Sequence, residues 1–310
     1  MKIGIVGAGL AGLAAADGLT RAGHEVALFD KARGPGGRMS TRRIETAQGM
    51  AFFDHGAQYF TARDADFAAE VARWQAAGTA RRWPAAGEDA WVGTPGMNGI
   101  VKALAADHDV CWNCRIESIA SDGARWRLAH AGGVEIADAV IVAVPAEQVP
   151  DLVAEHLAEW AELAQATRSQ PCWTVMAAFD APVDLAGDSL RSIGAIGWAA
   201  RNSAKPGRTG PESWVVQGSA DWSAAHLEDD AVTVTAHLLA ELADAVGSDL
   251  PGVLAVQAHR WRYALSGAAG RTAMWDEELR LGLCGDWLIG PRIESAWVSG
   301  RALADLVDPD

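Results

Sequence analysis

Apolar positions come in short unbroken blocks near the start of the chain and alternate with polar ones later. Residues 2–6 (KIGIV) form a block of strand length, as expected for a strand buried on both faces. Residues 10–22 are rich in Ala and Leu and stop at Gly23, which predicts a helix with a glycine C-cap. Residues 24–29 (HEVALF) predict a second strand with Asp30 at its end. Another strand is expected over 110–119, where Val110, Trp112, Cys114 and Ile116 alternate with Cys111, Asn113, Arg115 and Glu117. Residues 134–145 (VEIADAVIVAVP) read as a strand ended by Pro145. Further strands are expected at 171–180, 190–199, 213–219 and 254–263, and helices at 146–167 and 226–246. Trp222-Ser223 reads as a helix entry with Ser223 as N-cap, and 202–212 (NSAKPGRTGPE) as a polar loop. Near the end, 279–285 predicts a strand and 293–307 a helix starting at Glu294 or Ser295.

Between the first strand and the first helix, Gly7, Gly9 and Gly12 spell GxGxxG, with Asp30 about 20 residues on. Each part has a mechanical role. Gly7 permits a tight turn, Gly9 lets backbone approach a pyrophosphate, and Gly12 allows close helix–strand packing. The helix N-terminus favours phosphate, and Asp30 accepts hydrogen bonds from ribose hydroxyls. The motif alone does not separate FAD from NAD. Residues 31–43 (KARGPGGRMSTRR) add small residues and arginines suited to a flat ring or a diphosphate.

Composition narrows the function classes. The chain has 310 residues with 26 basic and 40 acidic side chains, a net charge of −14. That balance disfavours general binding to nucleic acid or anionic membranes. No apolar run approaches a membrane span, and the N-terminal stretch carries Asp17 and many glycines, unlike a secretion signal. A cytoplasmic protein with four reduced cysteines is expected. Cys111 and Cys114 spell CxxC, but on a strand they point to opposite faces, so neither a redox pair nor a metal site is expected.

GPGGRMSTRR with FDHGAQYFTARD (53–64) resembles the flavin amine oxidase superfamily, and specifically its renalase-like branch. The C-terminal LRLGLCG-Asp286-Trp287 and IESAWVSGRALADLV segments resemble the same superfamily. The resemblance implies an α/β fold of the monoamine-oxidase/PHBH type, with a discontinuous Rossmann-like FAD-binding domain (1–60, 97–145 and 268–310). A substrate domain of antiparallel strands and helices would take 61–96 and 146–267. It further implies noncovalent FAD held by Gly7, Gly9, Gly12, Asp30, Lys31, Gly37, Arg38, His55, Gly56, Ala57, Gln58, Ile116, Gly285, Asp286, Glu294, Ser295 and Ala296. No cysteine is placed for covalent attachment, and no second GxGxxG suggests a separate NADPH domain.

QAHRWRYAL (257–265) is rich in chemistry: period 2 places His259, Trp261 and Tyr263 on one face and Arg260 and Arg262 on the other. Such an aromatic face suits a wall over the flavin ring, and a half-buried strand with core aromatics is the plainer alternative. Expected catalytic residues are His259, Tyr263, Trp261 and Gln58, with Trp214, Gln217, Arg262 and Trp297 lining the substrate. Of the 14 Trp, at most four (Trp214, Trp261, Trp287, Trp297) are site candidates. The resemblance implies oxidation of 2- or 6-dihydroNAD(P) isomers to NAD(P)⁺, with hydride passing to flavin and dioxygen reduced to hydrogen peroxide. Two alternatives stand beside it: an amine oxidase, for which the acidic balance suits a cationic substrate, and a flavin-binding module without turnover. Partners would be a small-molecule substrate and dioxygen. The oligomeric state is not legible.

Overall fold

The computed structural model describes residues 1–309. β1 (Lys2–Val6), α1 (Leu10–Arg21) and β2 (Glu25–Asp30) form the expected βαβ unit, with β1 and β2 parallel and Ile3 opposite Val26. They sit inside a six-stranded sheet. Its order is Met274–Asp276, Leu281–Leu283, Ala139–Val142, β1, β2, Asp109–Trp112, parallel except for the first strand. β1 is buried because both faces are covered: Ile3 and Ile5 pack with α1 and the last helix (Ile293–Val307), and Val6 with the layer on the other side. That other layer is an antiparallel sheet of Ile116–Ser121, Trp126–His130 and Gly133–Ala137, with the short helices Pro150–Val153 and Ala158–Ala166.

A five-stranded antiparallel sheet forms the second body, in the order Ser189–Ile193, Ile196–Arg201, Glu212–Gly218, Gln170–Phe179, Val253–Leu265. One face carries Trp173, Val175, Ala177, Trp214 and Val216 against Val234, Leu238 and Leu242 of the helix Ala231–Val246. The opposite face carries Met176, Ala178 and Val215, which meet Ala51 and Phe53 of the hairpin Thr41–Thr46/Gly49–Asp54.

Several expected elements are cut shorter by local chemistry. The strand expected at 110–119 is two strands, broken at Asn113, whose φ is 56°. The break lets Asn113 N–H donate to Ala32 O and Cys114 N–H to Asp30 O, tying the turn to the end of β2. Of the CxxC pair, Cys111 is exposed and Cys114 is buried, and burial, then the neighbouring Cys111, pushes the Cys114 thiol up to about 11. The cysteines are free, and no group of metal-ligating side chains occurs among the described residues. The strand at 190–199 is a hairpin turning at Gly194, and 146–167 is three short helical pieces with Pro150 opening the second. Residues 134–145 divide between two sheets at Asp138. Helix Ala220–Ala225 is capped by Ser219, whose hydroxyl accepts from Trp222 N–H, whereas Ser223 lies inside the helix and accepts from Trp173 N–H. Asp230 caps the following helix by accepting from Val232 and Thr233. The last helix begins at Ile293. Among the described residues no helix is long and apolar enough to cross a membrane.

Candidate functional site

A cavity of about 970 Å³ runs from the glycine turn after β1 to the five-stranded sheet. At its first end, Gly7 adopts φ 106°, and a Cβ there would stand 2.4 Å from Ala143 O. Gly9 faces open space on the cavity wall. Gly12 is turned inward: a Cβ would meet Gly7 O at 2.0 Å, so it sets packing rather than lining the cavity. The N-terminus of α1 has no side-chain cap, which leaves its first amides for an anion. Asp30 accepts from Ala8 N–H at 2.8 Å and Ala32 N–H at 2.7 Å, holding its carboxylate at the wall. Lys31 donates to Gln148 at 2.6 Å, and burial, then Arg115, lowers its pKa. Ile116 and Leu152 give this end an apolar side.

In the middle, Gly37 takes φ 52° and Arg38 forms a fork onto Asp286, at 2.8 and 2.5 Å. Ser266 also donates to Asp286. Gly56 lies flat on this segment: a Cβ there would be 2.0 Å from Arg38 O, which accepts from Ala57 N–H. Gly285, Asp286, Ile293 and Ala296 complete this stretch of wall. The helix Ile293–Val307 also starts without a side-chain cap, so two helix N-termini open onto one elongated cavity. That pairing, with the close glycine floor, fits a dinucleotide carrying a flat ring.

The far end is aromatic and amide-rich. Tyr59, Trp198, Trp261 and Tyr263 line it with Gln58, Gln217, Cys172 and Arg262. Gln217 Nε2 donates to Gly56 O at 2.8 Å, and Trp261 Nε1 donates to His55 O at 2.8 Å, so both are fixed to the Gly56 segment. The Arg191 guanidinium lies 4.3 Å from the Trp198 ring centroid and 5.3 Å from that of Tyr59, bracing both rings from outside. Arg262 is paired with Glu228. Arg63 and Arg292 also reach the cavity. Its carboxylates are Asp30, Glu117, Asp151 and Asp286, none of which belongs to the aromatic end.

Six of the expected site residues do not line the cavity besides Gly12. Trp214 is fully buried on the helix-facing side of its strand, the parity opposite to Gln217, and donates to Glu212. Trp297 follows Ala296 but turns into the core, 5.5 Å from Phe67 between ring centroids. Glu294 reaches back to accept from Asp64 N–H at 2.7 Å, and Ser295 is buried without a partner. His55 and His259 sit behind Trp261, at 5.2 and 4.5 Å between ring centroids. Burial, then His259 and Arg42, lowers the His55 pKa to about 4, and burial and Arg42 lower His259 to about 4. Both imidazoles are therefore neutral at pH 7. Arg262 lines the cavity although it is off the Trp261 parity, because the strand edges the cavity near a register shift at Gln170/Cys172. Trp198 and Cys172 went unread in the sequence, where their segments carry only a strand pattern.

The profile of a NAD(P)-binding Rossmann-like domain matches residues 5–73, and that of flavin-containing amine oxidoreductases matches 75–308. Among solved structures, a variant of putrescine oxidase is similar over 99% of this chain and 98% of its own, at TM-score 0.75 and 14% identity. Cyclohexylamine oxidase from Brevibacterium oxydans is similar over 99% and 98%, at TM-score 0.73 and 12% identity. At such identities the structures speak for the fold alone, whereas the second profile covers most of the chain. With this cavity of two helix N-termini, a glycine floor and an aromatic end as its candidate site, the chain belongs to the flavin-containing amine oxidoreductase family and is an FAD-dependent oxidoreductase.

Proposed function

We propose that this oxidoreductase converts dihydronicotinamide isomers, reduced at the wrong ring carbon, to NAD(P)⁺. The observation that carries this reading is the aromatic end of the cavity. It presents Tyr59, Trp198, Trp261 and Tyr263 with amides and arginines, and no carboxylate to hold an ammonium. Bound FAD supplies a hydride acceptor that dioxygen reoxidises to give hydrogen peroxide. The chain's residues supply geometry and dryness. Trp261, pinned through its indole N–H, and Trp198, braced by Arg191, present flat faces that stack a nicotinamide ring and exclude water. Gln217 uses its Nε2 on Gly56 and leaves Oε1 to accept from a carboxamide. Arg63 and Arg292 suit the substrate's phosphates despite the acidic net charge. No protein base is required, because loss of hydride leaves an aromatic pyridinium, and the two neutral histidines behind the wall are consistent with that. Cys172 and Cys114 reach the cavity, but burial pushes each thiol up to about 11, which favours noncovalent flavin.

Amine oxidation is the second reading, favoured by family membership and by the shared fold with putrescine and cyclohexylamine oxidases. Oxygen-electrode assays separate the two. Peroxide-forming oxygen uptake with 2- or 6-dihydroNAD(P), and none with primary amines, supports the proposal. Uptake with amines and none with the isomers overturns it.

A further inference from the structure

Behind Gln58 lies a buried charge cluster that the reaction above does not use. Lys205 and Arg208 come from the 202–212 loop and meet Asp54 at the end of its strand. Lys205 Nζ is 3.3 Å from Asp54 Oδ2 and 3.1 Å from Gln58 Oε1. Arg208 donates to the same Oδ2, and to Gly93 O and Pro206 O at 2.6 and 2.7 Å. Asp54 Oδ1 accepts from Thr41 Oγ1 at 2.7 Å and Met97 N–H at 2.9 Å. All three charged side chains are at most 1% exposed.

Two cations against one carboxylate leave a net charge of +2 − 1 = +1 inside the protein. Burying an uncompensated charge is costly, and fastening the loop to Asp54 requires only Arg208. Lys205 is therefore the surplus charge. The groups that face it are Asp54, Arg208, Gln58 and the Trp83 ring, 5.2 Å away. Of these, Gln58 lines the cavity. The ammonium fixes Gln58 Oε1, which leaves Nε2 for the backbone oxygens of Asp54 and Gly56. The amide dipole thus extends the buried positive potential toward the cavity wall.

We propose that Lys205, acting through Gln58, is a positioning residue whose buried charge favours the reduced, anionic form of the bound flavin over the oxidised, neutral form. Lys205 transfers nothing: both electrons and the proton of the hydride come from the substrate. The charge is conditional, because burial lowers the Lys205 pKa to about 8, with Asp54 opposing and Arg208 reinforcing that shift. Reduction of the flavin therefore favours uptake of a proton by Lys205 above that pH. The inference rests on the flavin, and holds whether the substrate is a dihydronicotinamide or an amine.

The test is reductive titration of the FAD-bound protein with dithionite against a reference dye, without substrate. At pH 7 the Lys205→Met variant shifts the dye equilibrium about tenfold toward oxidised flavin, the order of effect expected from one buried charge at an effective dielectric near 20. In wild type, the slope of potential against pH steepens above pH 8, as a second proton accompanies reduction, and in the variant it does not. The variant keeps the balanced Asp54–Arg208 pair. Should it fail to fold, the wild-type slope decides alone. A dye equilibrium in the folded variant within about twofold of wild type at pH 7 overturns the proposal. So does a wild-type slope that stays constant from pH 7 to 10.

Discussion

Replacing Arg38 by Met isolates what joins the glycine-rich segment to the C-terminal part of the cavity wall. Asp286 is buried, at 8% side-chain exposure, and accepts two N–H bonds from Arg38 and one O–H bond from Ser266. The substitution removes both charge-assisted bonds and leaves the carboxylate one partner. Breaking a buried pair costs about 3–5 kcal/mol, but Arg38 is partly solvent-screened, so about 2–3 kcal/mol is expected. For a chain of this length that shift lowers Tm by about 3–5 °C. The assay is a double-mutant cycle of Arg38→Met and Asp286→Asn, followed by thermal denaturation of the apoprotein. Asp286→Asn alone costs less, since the amide still fills the site and accepts from Ser266. The coupling energy should be about 1–3 kcal/mol. Flavin affinity should fall in both single variants, because both residues line the cavity. A coupling below about 0.5 kcal/mol would refute the reasoning, since the two side chains would then act independently.

Other outcomes follow from the same geometry. Trp261→Phe, which loses the indole bond to His55 O, should slow flavin reduction roughly tenfold or more while FAD stays bound. Trp214→Phe should lower stability by about 1–3 kcal/mol in a denaturant melt and leave the reduction rate unchanged, since the indole is core. His55 takes up a proton only near pH 4 when folded, against 6.5 unfolded. Its share of stability is thus complete above 6.5 and lost as pH falls toward 4, up to about 3 kcal/mol. His55→Leu should flatten that acid limb in Tm measured between pH 4 and 7. His259→Phe should keep the reduction rate within about threefold of wild type, because the ring supports Trp261 and does not reach the cavity.

The nucleotide half was legible because its rules are local. GxGxxG with Asp30 fixes a turn, a helix start and an acid, and each lands on or beside the cavity. The limits of such reading show at residues whose place depends on the second body. Trp214 and Gln217 lie on one strand three residues apart, and only knowing which face meets the helix Ala231–Val246 tells core from wall. Trp297 and Ala296 differ by one helical step, and one faces Phe67 while the other faces the cavity. The loop 202–212 reads from its sequence only as polar. Its Lys205 and Arg208 are buried because Asp54, over 150 residues earlier, accepts from them. The strand at 110–119 fails for a related reason: a left-handed residue at Asn113 ends it so that Asp30 O and Ala32 O find donors.

Anaerobic stopped-flow mixing of the purified FAD-bound protein tests the functional claim most directly. With 2- or 6-dihydroNAD(P), the visible flavin band should bleach within a single turnover, and one equivalent of NAD(P)⁺ should form per flavin. Admitting oxygen should restore the band with one equivalent of hydrogen peroxide. Bleaching by primary amines with no bleaching by either isomer would contradict the account.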